Sequence, residues 1–216
     1  MNTKEKIVAA AIEIFAEKGK YGATMDEIAN KANINKAMLY YFFNTKGNIY
    51  NEALSFILTN IHKNNFANLK QKLFRTENPI EIIKLIVRNH LRALSSNMNF
   101  TKILIEAMVH NPLEITKTTQ NIKNLNSQTS DEADLRKRFL ELYAKGVSNG
   151  KVRDIDPDQL MISIMGMILI YFISKPISQL MLNIDVKNEK SFLKKREESI
   201  IDLILNGISL AKGGSK

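Results

Sequence analysis

Residues 24–50, TMDEIANKANINKAMLYYFFNTKGNIY, read as two short helices around a tight turn, with a third helix following. That is the layout with which a helix-turn-helix reads DNA. Thr24 is suited to cap the first helix, and Glu27, three residues on, completes a capping box. Ile28 and Ala29 face inward, Ala32 and Asn33 make the turn, and Ile34 plugs the junction. Asn tolerates the left-handed backbone that such a turn needs, and Asn35 caps the second helix.

At about 100° per residue, Ile34, Met38, Leu39 and Phe42 fall on one face of that second helix, and Lys36, Ala37, Tyr40 and Tyr41 on the other. The first set is a core wedge. The second offers a cation, a small residue that permits close approach, and two phenols able to bond phosphates or pack on base edges. Thr45 is the expected cap of the third helix, so its positive end and the Lys46 ammonium would hold one phosphate. The DNA-contact set is therefore Thr24, Lys36, Ala37, Tyr40, Tyr41 and Lys46.

Phe15 and Gly19 at the end of a first helix, Thr24, Ile28-Ala29, Ile34, and above all Leu39-Tyr40-Tyr41-Phe42-Phe43 followed by Thr45-Lys46 carry a family resemblance. The stretch resembles the N-terminal domain of the TetR family of bacterial transcriptional regulators. One departure is visible: the loop from Gly19 to Thr24 runs one residue longer than the usual pattern, which bears on the entry angle of the next helix. The resemblance implies a second domain with a small-molecule pocket, whose occupation changes the spacing of two DNA-binding heads.

Composition is consistent with this reading and would not have revealed it. A net charge of +9 favours a polyanionic partner, yet residues 1–50 hold seven lysines against five carboxylates and keep only +2. The motif identifies the DNA face, and the charge balance does not. The absence of cysteine excludes disulfides and thiolate metal sites. The early apolar run Ile7 to Ile12 is too short for a signal-peptide core, so the expected location is the cytoplasm.

The remaining chain repeats apolar residues at helical spacing, and the expected fold class is all-α with about nine helices. Residues 1–45 form a three-helix helix-turn-helix domain, and residues 46–216 a helical-bundle effector-binding and dimerisation domain. The first helix spans about residues 3–18, capped by Thr3 and closed by a left-handed Gly19. Ile49, Tyr50, Ala53, Leu54, Ile57, Leu58 and Ile61 stripe a long helix after Lys46. Asn78-Pro79 and Asp156-Pro157 each cap and start another. Thr116 to Ser130, poor in apolar residues, fits either an exposed helix or a loop.

Residues 160–173, LMISIMGMILIYFI, form a helix expected to be buried on every face and to end before Pro176. Fourteen residues fall short of the roughly 18–20 needed to cross a bilayer, so no membrane partner is expected. One chain would struggle to cover so apolar a helix. The expected homodimer interface joins it to the last helix, about Ser191 to Leu210, through Met165, Gly166, Leu169, Ile201, Ile204, Leu205 and Ile208.

His62, His90 and His110 are too scattered to hold a metal, and no nucleophile, paired-carboxylate or phosphate-loop motif stands out, so neither an enzyme nor a cofactor is expected. Candidate effector-pocket walls are Met98, Phe100, Met108, His110, Tyr143, Met165 and Tyr171, adaptable thioethers and polar-tipped rings. The expectation is a homodimeric, ligand-responsive repressor on a palindromic operator, released by a small apolar effector. The alternative is a helical interaction or architectural DNA-binding factor without effector, and a soluble helical enzyme ranks third.

Overall fold

A computed structural model describes the backbone of residues 2–125, 129–183 and 188–208. Among the described residues the fold is all-α, with ten helices: α1 Thr3–Gly22, α2 Met25–Lys31, α3 Lys36–Phe43, α4 Lys46–Leu73, α5 Pro79–Ser96, α6 Met98–His110, α7 Pro112–Leu125, α8 Thr129–Ser148, α9 Pro157–Met181 and α10 Glu189–Ile208. The tenth is α7. In the polar tract that forms it, Thr116, Thr118 and Thr119 donate their hydroxyls to carbonyls four residues back at 2.7–2.9 Å, so the hydroxyls find partners within the helix.

The chain packs as two compact units, one of residues 1–64 and 94–129, the other of residues 65–93 and 130–216. In the first, α1 buries Ile7, Val8, Ala11, Ile12 and Phe15 against Ile28 and Ala29 of α2, Leu39 and Phe43 of α3, and Ile49, Tyr50 and Leu54 of α4. The Phe15 and Tyr50 rings meet edge to face at 5.1 Å, a contact worth about 0.5–1.5 kcal/mol beyond the area buried. Asn2 caps α1, not the expected Thr3: its side chain accepts from the Glu5 amide, and Glu5 returns the bond. Asn and Thr are both good caps, and the Glu three residues on selects Asn2. Gly19 takes φ +71°, and the chain turns there before a last helical stretch to Gly22.

In the second unit α5 buries Ile82, Ile83, Ile86, Val87 and Leu91, and α8 buries Leu135, Phe139, Leu142 and Tyr143. A Cβ on Gly146 of α8 would lie 2.7 Å from Pro79 Cγ at the start of α5, so only glycine permits this approach. Asp156 caps α9 by accepting from the Asp158 and Gln159 amides, with Pro157 in the first turn. Arg153 closes the far end of α10, its amide and guanidinium donating to the Ile208 and Gly207 carbonyls at 2.7 and 2.8 Å.

The structure corrects the sequence reading of α9 in three respects. The helix is 25 residues long and runs through Pro176. The ring of Pro176 removes the amide that would have bonded Phe172, but Tyr171 and Lys175 are both fastened to Glu189 at 3.0 and 2.6 Å and hold the segment on α10. Length therefore does not argue against membrane crossing: the most apolar 18-residue window has mean hydropathy 1.9, with 28% of it buried. Nor is the helix covered all round. Leu160, Ile164, Ile168, Tyr171 and Phe172 are buried, while Ile162, Ile170, Ile173 and Ile177 stand 52–65% exposed. The final helix likewise buries only Ile200, Ile204 and Ile208, and the expected Leu210 lies outside the described residues.

Candidate nucleic-acid interface

The turn between α2 and α3 is built as its residue types require. Asn33 adopts φ +52°, and the Ala32, Asn33 and Ile34 amides bond back to Ile28, Asn30 and Ala29 at 2.9–3.1 Å. On one side Thr24 and Glu27 form the expected capping box, with amide-to-side-chain bonds of 3.0 and 3.2 Å. On the other the Asn35 side chain accepts from the Met38 amide at 2.7 Å. Lys18 adds an ion pair to Glu27. The Lys18 ammonium first, then the Thr24 hydroxyl and amide, hold the Glu27 carboxyl at about 2, well below its ordinary 4.5.

α3 is seated by two side chains one turn apart, Leu39 at 0% and Phe43 at 5% exposure. Helical spacing in the sequence predicts Ile34, Met38, Leu39 and Phe42 for this face. Met38 and Phe42 are instead 40% and 39% exposed and flank the wedge. A short helix with four consecutive aromatics offers two nearly equivalent apolar faces, and the neighbouring α1 and α4 decide which is covered. The opposite face carries Lys36, Ala37, Tyr40 and Tyr41, all exposed, with Tyr41 at 83%. Tyr41 meets Phe42 edge to face at 5.4 Å, which restrains an otherwise free ring. Thr24, also exposed, lies at the start of α2.

The cations of this face are not idle. Lys36 pairs with Asp26 in the first turn of α2 at 2.7 Å. Lys4 pairs with Glu52 and Lys31 with Glu13. All are exposed pairs that contribute little to stability, so phosphates could displace the carboxylates at small cost. Lys46 differs: its ammonium donates to the Tyr21 and Ala23 carbonyls at 3.1 and 2.7 Å. Thr45 caps α4, accepting from the Asn48 amide at 3.1 Å, while the Asn48 side chain donates to the Phe43 carbonyl at 2.9 Å.

Sequence reasoning missed a polar cluster between α1 and α6. The Lys20 amide donates to the Glu106 carboxylate at 2.7 Å, and the Tyr50 hydroxyl reaches the same group at 3.4 Å. The Lys20 ammonium binds Glu114 at 2.7 Å and lies 4.8 Å over the Tyr50 ring. Burial and the adjacent carboxylate push the Tyr50 phenol up, so it remains a neutral donor. These partners stand 56 to 94 residues apart in the chain, and no local pattern announces them.

The pocket candidates are divided between the two units. Met98, Phe100, Met108 and His110 lie on α6 of the first unit, Met108 and His110 being exposed. Phe100 meets Phe56 edge to face at 6.1 Å. In the second unit Tyr143 and Tyr171 are buried, and their hydroxyls donate to the Arg153 carbonyl and to Glu189 at 2.9 and 3.0 Å. Met165 is half-buried. Of the expected interface residues, Gly166 has, beyond its own chain neighbours and the adjacent backbone of α9, no atom within 4 Å of where a Cβ would stand. Met165, Leu169, Ile201 and Leu205 are half-buried. Ile204 and Ile208 are already covered by their own chain, at 5% and 2% exposure. The large apolar residues that α9 and α10 turn outward include Ile162, Ile170, Ile173, Ile177, Leu180, Met181 and Leu203.

Residues 7–53 match the family model described as bacterial regulatory proteins, tetR family. Residues 79–204 match that of the tetracyclin repressor-like C-terminal domain. Over 72 residues the chain is 40% identical to the biofilm operon icaADBC HTH-type negative transcriptional regulator IcaR of Staphylococcus aureus, a match covering 30% of this chain and 39% of that protein's length. Among solved structures, a Clostridium perfringens protein described as a candidate fatty acid metabolism regulator superposes with TM-score 0.63 at 26% identity, over 95% of this chain and 99% of that one. Bacillus subtilis FadR in complex with stearoyl-CoA gives 0.62 at 17% identity, over 94% and 98%. KstR2, the ketosteroid transcriptional regulator of Mycobacterium tuberculosis, gives 0.66 at 17%, over 97% and 96%.

Proposed function

This chain belongs to the TetR family of bacterial regulatory proteins, and on that premise we propose that it is a DNA-binding transcriptional repressor that acts as a homodimer in the cytoplasm and is released by a small apolar effector. The observation that carries the DNA reading is the outward face of α3, where Lys36, Ala37, Tyr40 and Tyr41 project from a helix anchored by Leu39 and Phe43. Thr24 and Lys46 stand at the helix ends beside it. Residues 1–45 are the reading head and residues 46–216 the dimerisation and effector region.

Dimerisation is supported by α9. Its exposed Ile162, Gly166, Ile170, Ile173 and Ile177 follow one another at steps of three and four, so one continuous aliphatic stripe is left on a helix whose other side is already packed. Gly166 costs about 1 kcal/mol in a helix interior, and the open space around it leaves room for a partner backbone. A second copy of α9 and α10 would complete a four-helix seam around a two-fold axis. For the effector, Met98 and Phe100 of α6 are half-buried and keep surface for a ligand. An apolar ligand suits a fold that holds stearoyl-CoA in the Bacillus protein.

The test is selection of duplexes from random sequence by the full-length chain. A single palindromic preference with salt-sensitive affinity supports the proposal. Uniform binding to any duplex would favour an architectural factor, and no binding would sink both. An inducer must bind free protein better than DNA-bound protein, and reciprocity requires operator DNA to weaken its binding by the same factor. A ligand held equally by both forms is not the inducer.

A further inference from the structure

α3 carries one ionic group, the Lys36 ammonium at its first residue. Asp26, in the first turn of α2, holds that ammonium at 2.7 Å, and both side chains are more than half exposed. The pair joins the starts of the two helices that form the reader, and it balances the single charge that α3 brings to the face shared with Tyr40 and Tyr41. The other exposed pairs of the head, Lys4–Glu52, Lys31–Glu13 and Lys18–Glu27, link α1 to α4 or to α2. Opening any of them costs little. At Lys36, however, opening frees a carboxylate on the surface that a duplex would meet, and duplex DNA presents a negative charge about every 1.7 Å along its axis. Two like charges about 4 Å apart weaken binding roughly fivefold even in bulk water.

The two classes of acceptor on DNA respond differently to this carboxylate. A phosphate is an anion, so it competes with Asp26 for the ammonium and is repelled where it does so. Guanine O6 and N7 are neutral acceptors. An ammonium has three donors, so Lys36 can keep one on Asp26 and still turn the others to a base edge. We propose, resting on the reading of α3 given above, that Asp26 is a positioning residue that sets sequence preference: its carboxylate turns Lys36 away from phosphate and towards a neutral acceptor in the groove. Asp26 thereby converts a cation that would hold any duplex into one that discriminates. The start of α2 serves recognition through the lysine of the neighbouring helix.

The experiment titrates the full-length chain and its variants, across salt concentrations, with a duplex selected by the wild type and with a shuffled duplex of equal length. Circular dichroism checks each fold. Asp26→Asn keeps the size of the side chain and removes its charge. It is expected to bind the shuffled duplex about fivefold more tightly, with a slope of log affinity against log salt about one unit steeper, because Lys36 gains a phosphate. The selected duplex gains less, so the preference ratio falls. Asp26→Glu, which retains the carboxylate, keeps the wild-type slope. Lys36→Gln lowers the preference ratio by about fivefold or more, the lower end of one base contact, with the slope unchanged. In the double variant Asp26→Asn with Lys36→Gln the steeper slope disappears. An Asp26→Asn chain with wild-type ratio and slope would overturn the proposal. So would equal weakening on both duplexes, which would make Asp26 only a support of α2. A Lys36→Gln slope about one unit shallower would place Lys36 on phosphate already and would overturn it as well. If Asp26→Asn does not fold, Lys36→Gln decides by its ratio and slope. A wild type that selects no sequence defeats the reading of α3 itself, whereas failure at Asp26 alone leaves that reading intact.

Discussion

α3 and α9 each leave large apolar side chains in the open, but the two surfaces end in different chemistry. On α3 the face opposite Leu39 and Phe43 carries Tyr40 and Tyr41, each with a hydroxyl, beside the Lys36 ammonium, and Phe42 lies exposed at its margin. On α9 the stripe of exposed isoleucines, Ile162, Ile170, Ile173 and Ile177, carries no polar tip. A phenol can stay hydrated, bond a phosphate or lie on a base edge, and so suits a wet and charged partner. A branched aliphatic chain gains only from a dry, close-packed one. Exposure alone therefore does not identify a site; the atoms at the end of the side chain do.

The largest expected effect separates the two sides of α3. Leu39→Ala opens a cavity at a fully buried position and should cost about 2–5 kcal/mol, read as the urea midpoint of the head. The same truncation at exposed Tyr41 should leave that midpoint within about 0.5 kcal/mol. Equal losses at the two positions would mean that α3 has no free face.

On α9 the comparison is tested by Gly166→Arg. Open space at Gly166 allows the arginine in a lone chain, so the expected product is a helical monomer with operator binding lost. Sedimentation and circular dichroism read both properties together. An intact dimer would remove the stripe from the interface, and an unfolded chain would make it core.

A smaller change sharpens the α3 side. Tyr41→Ala should weaken the preferred duplex about tenfold, the scale of one to two hydrogen bonds, and alter the ranking of operator variants. If affinity and ranking are both untouched, the groove face lies elsewhere.

The smallest effect is confined to acid. Glu27, held at about 2 against an ordinary 4.5 by Lys18 and Thr24, favours the folded head above the higher value. That contribution fades as pH falls from 4.5 towards 2. Glu27→Gln should therefore lower the melting temperature at neutral pH and narrow the gap to wild type at about pH 3. A gap independent of pH would assign the capping box no charged component.

Much of the head was legible in its residues because the signals act within one helical turn. The pair Thr24 and Glu27, the left-handed Asn33, the cap Asn35 and the turn at Gly19 each concern groups at most four residues apart, and each was found where the sequence predicts. The apolar stripes of α4 and α5 were legible for the same reason: Ile49, Ala53 and Ile57, then Ile82, Ile86 and Val87, repeat at helical spacing with one face to hide. Such local rules name the helices and their ends, and through the motif they name the family.

What the tertiary structure decided is where a local pattern had more than one solution. Phe43 was chosen over Met38 and Phe42 as the wedge because α1 and α4 cover that side. Pro176 was carried inside α9 because Glu189, thirteen positions later, holds Lys175 on α10. The outer face of α9 stayed bare because α10 has only one stripe with which to cover it. Lys46 found the Tyr21 and Ala23 carbonyls, and Lys20 found Glu114, through folding that brings distant segments together. Backbone preferences and capping are properties of neighbours along the chain, so the sequence alone determined the helices, the turn and the reading head. Which face is buried and which cation is engaged are properties of neighbours in space, and those only the packed chain could decide.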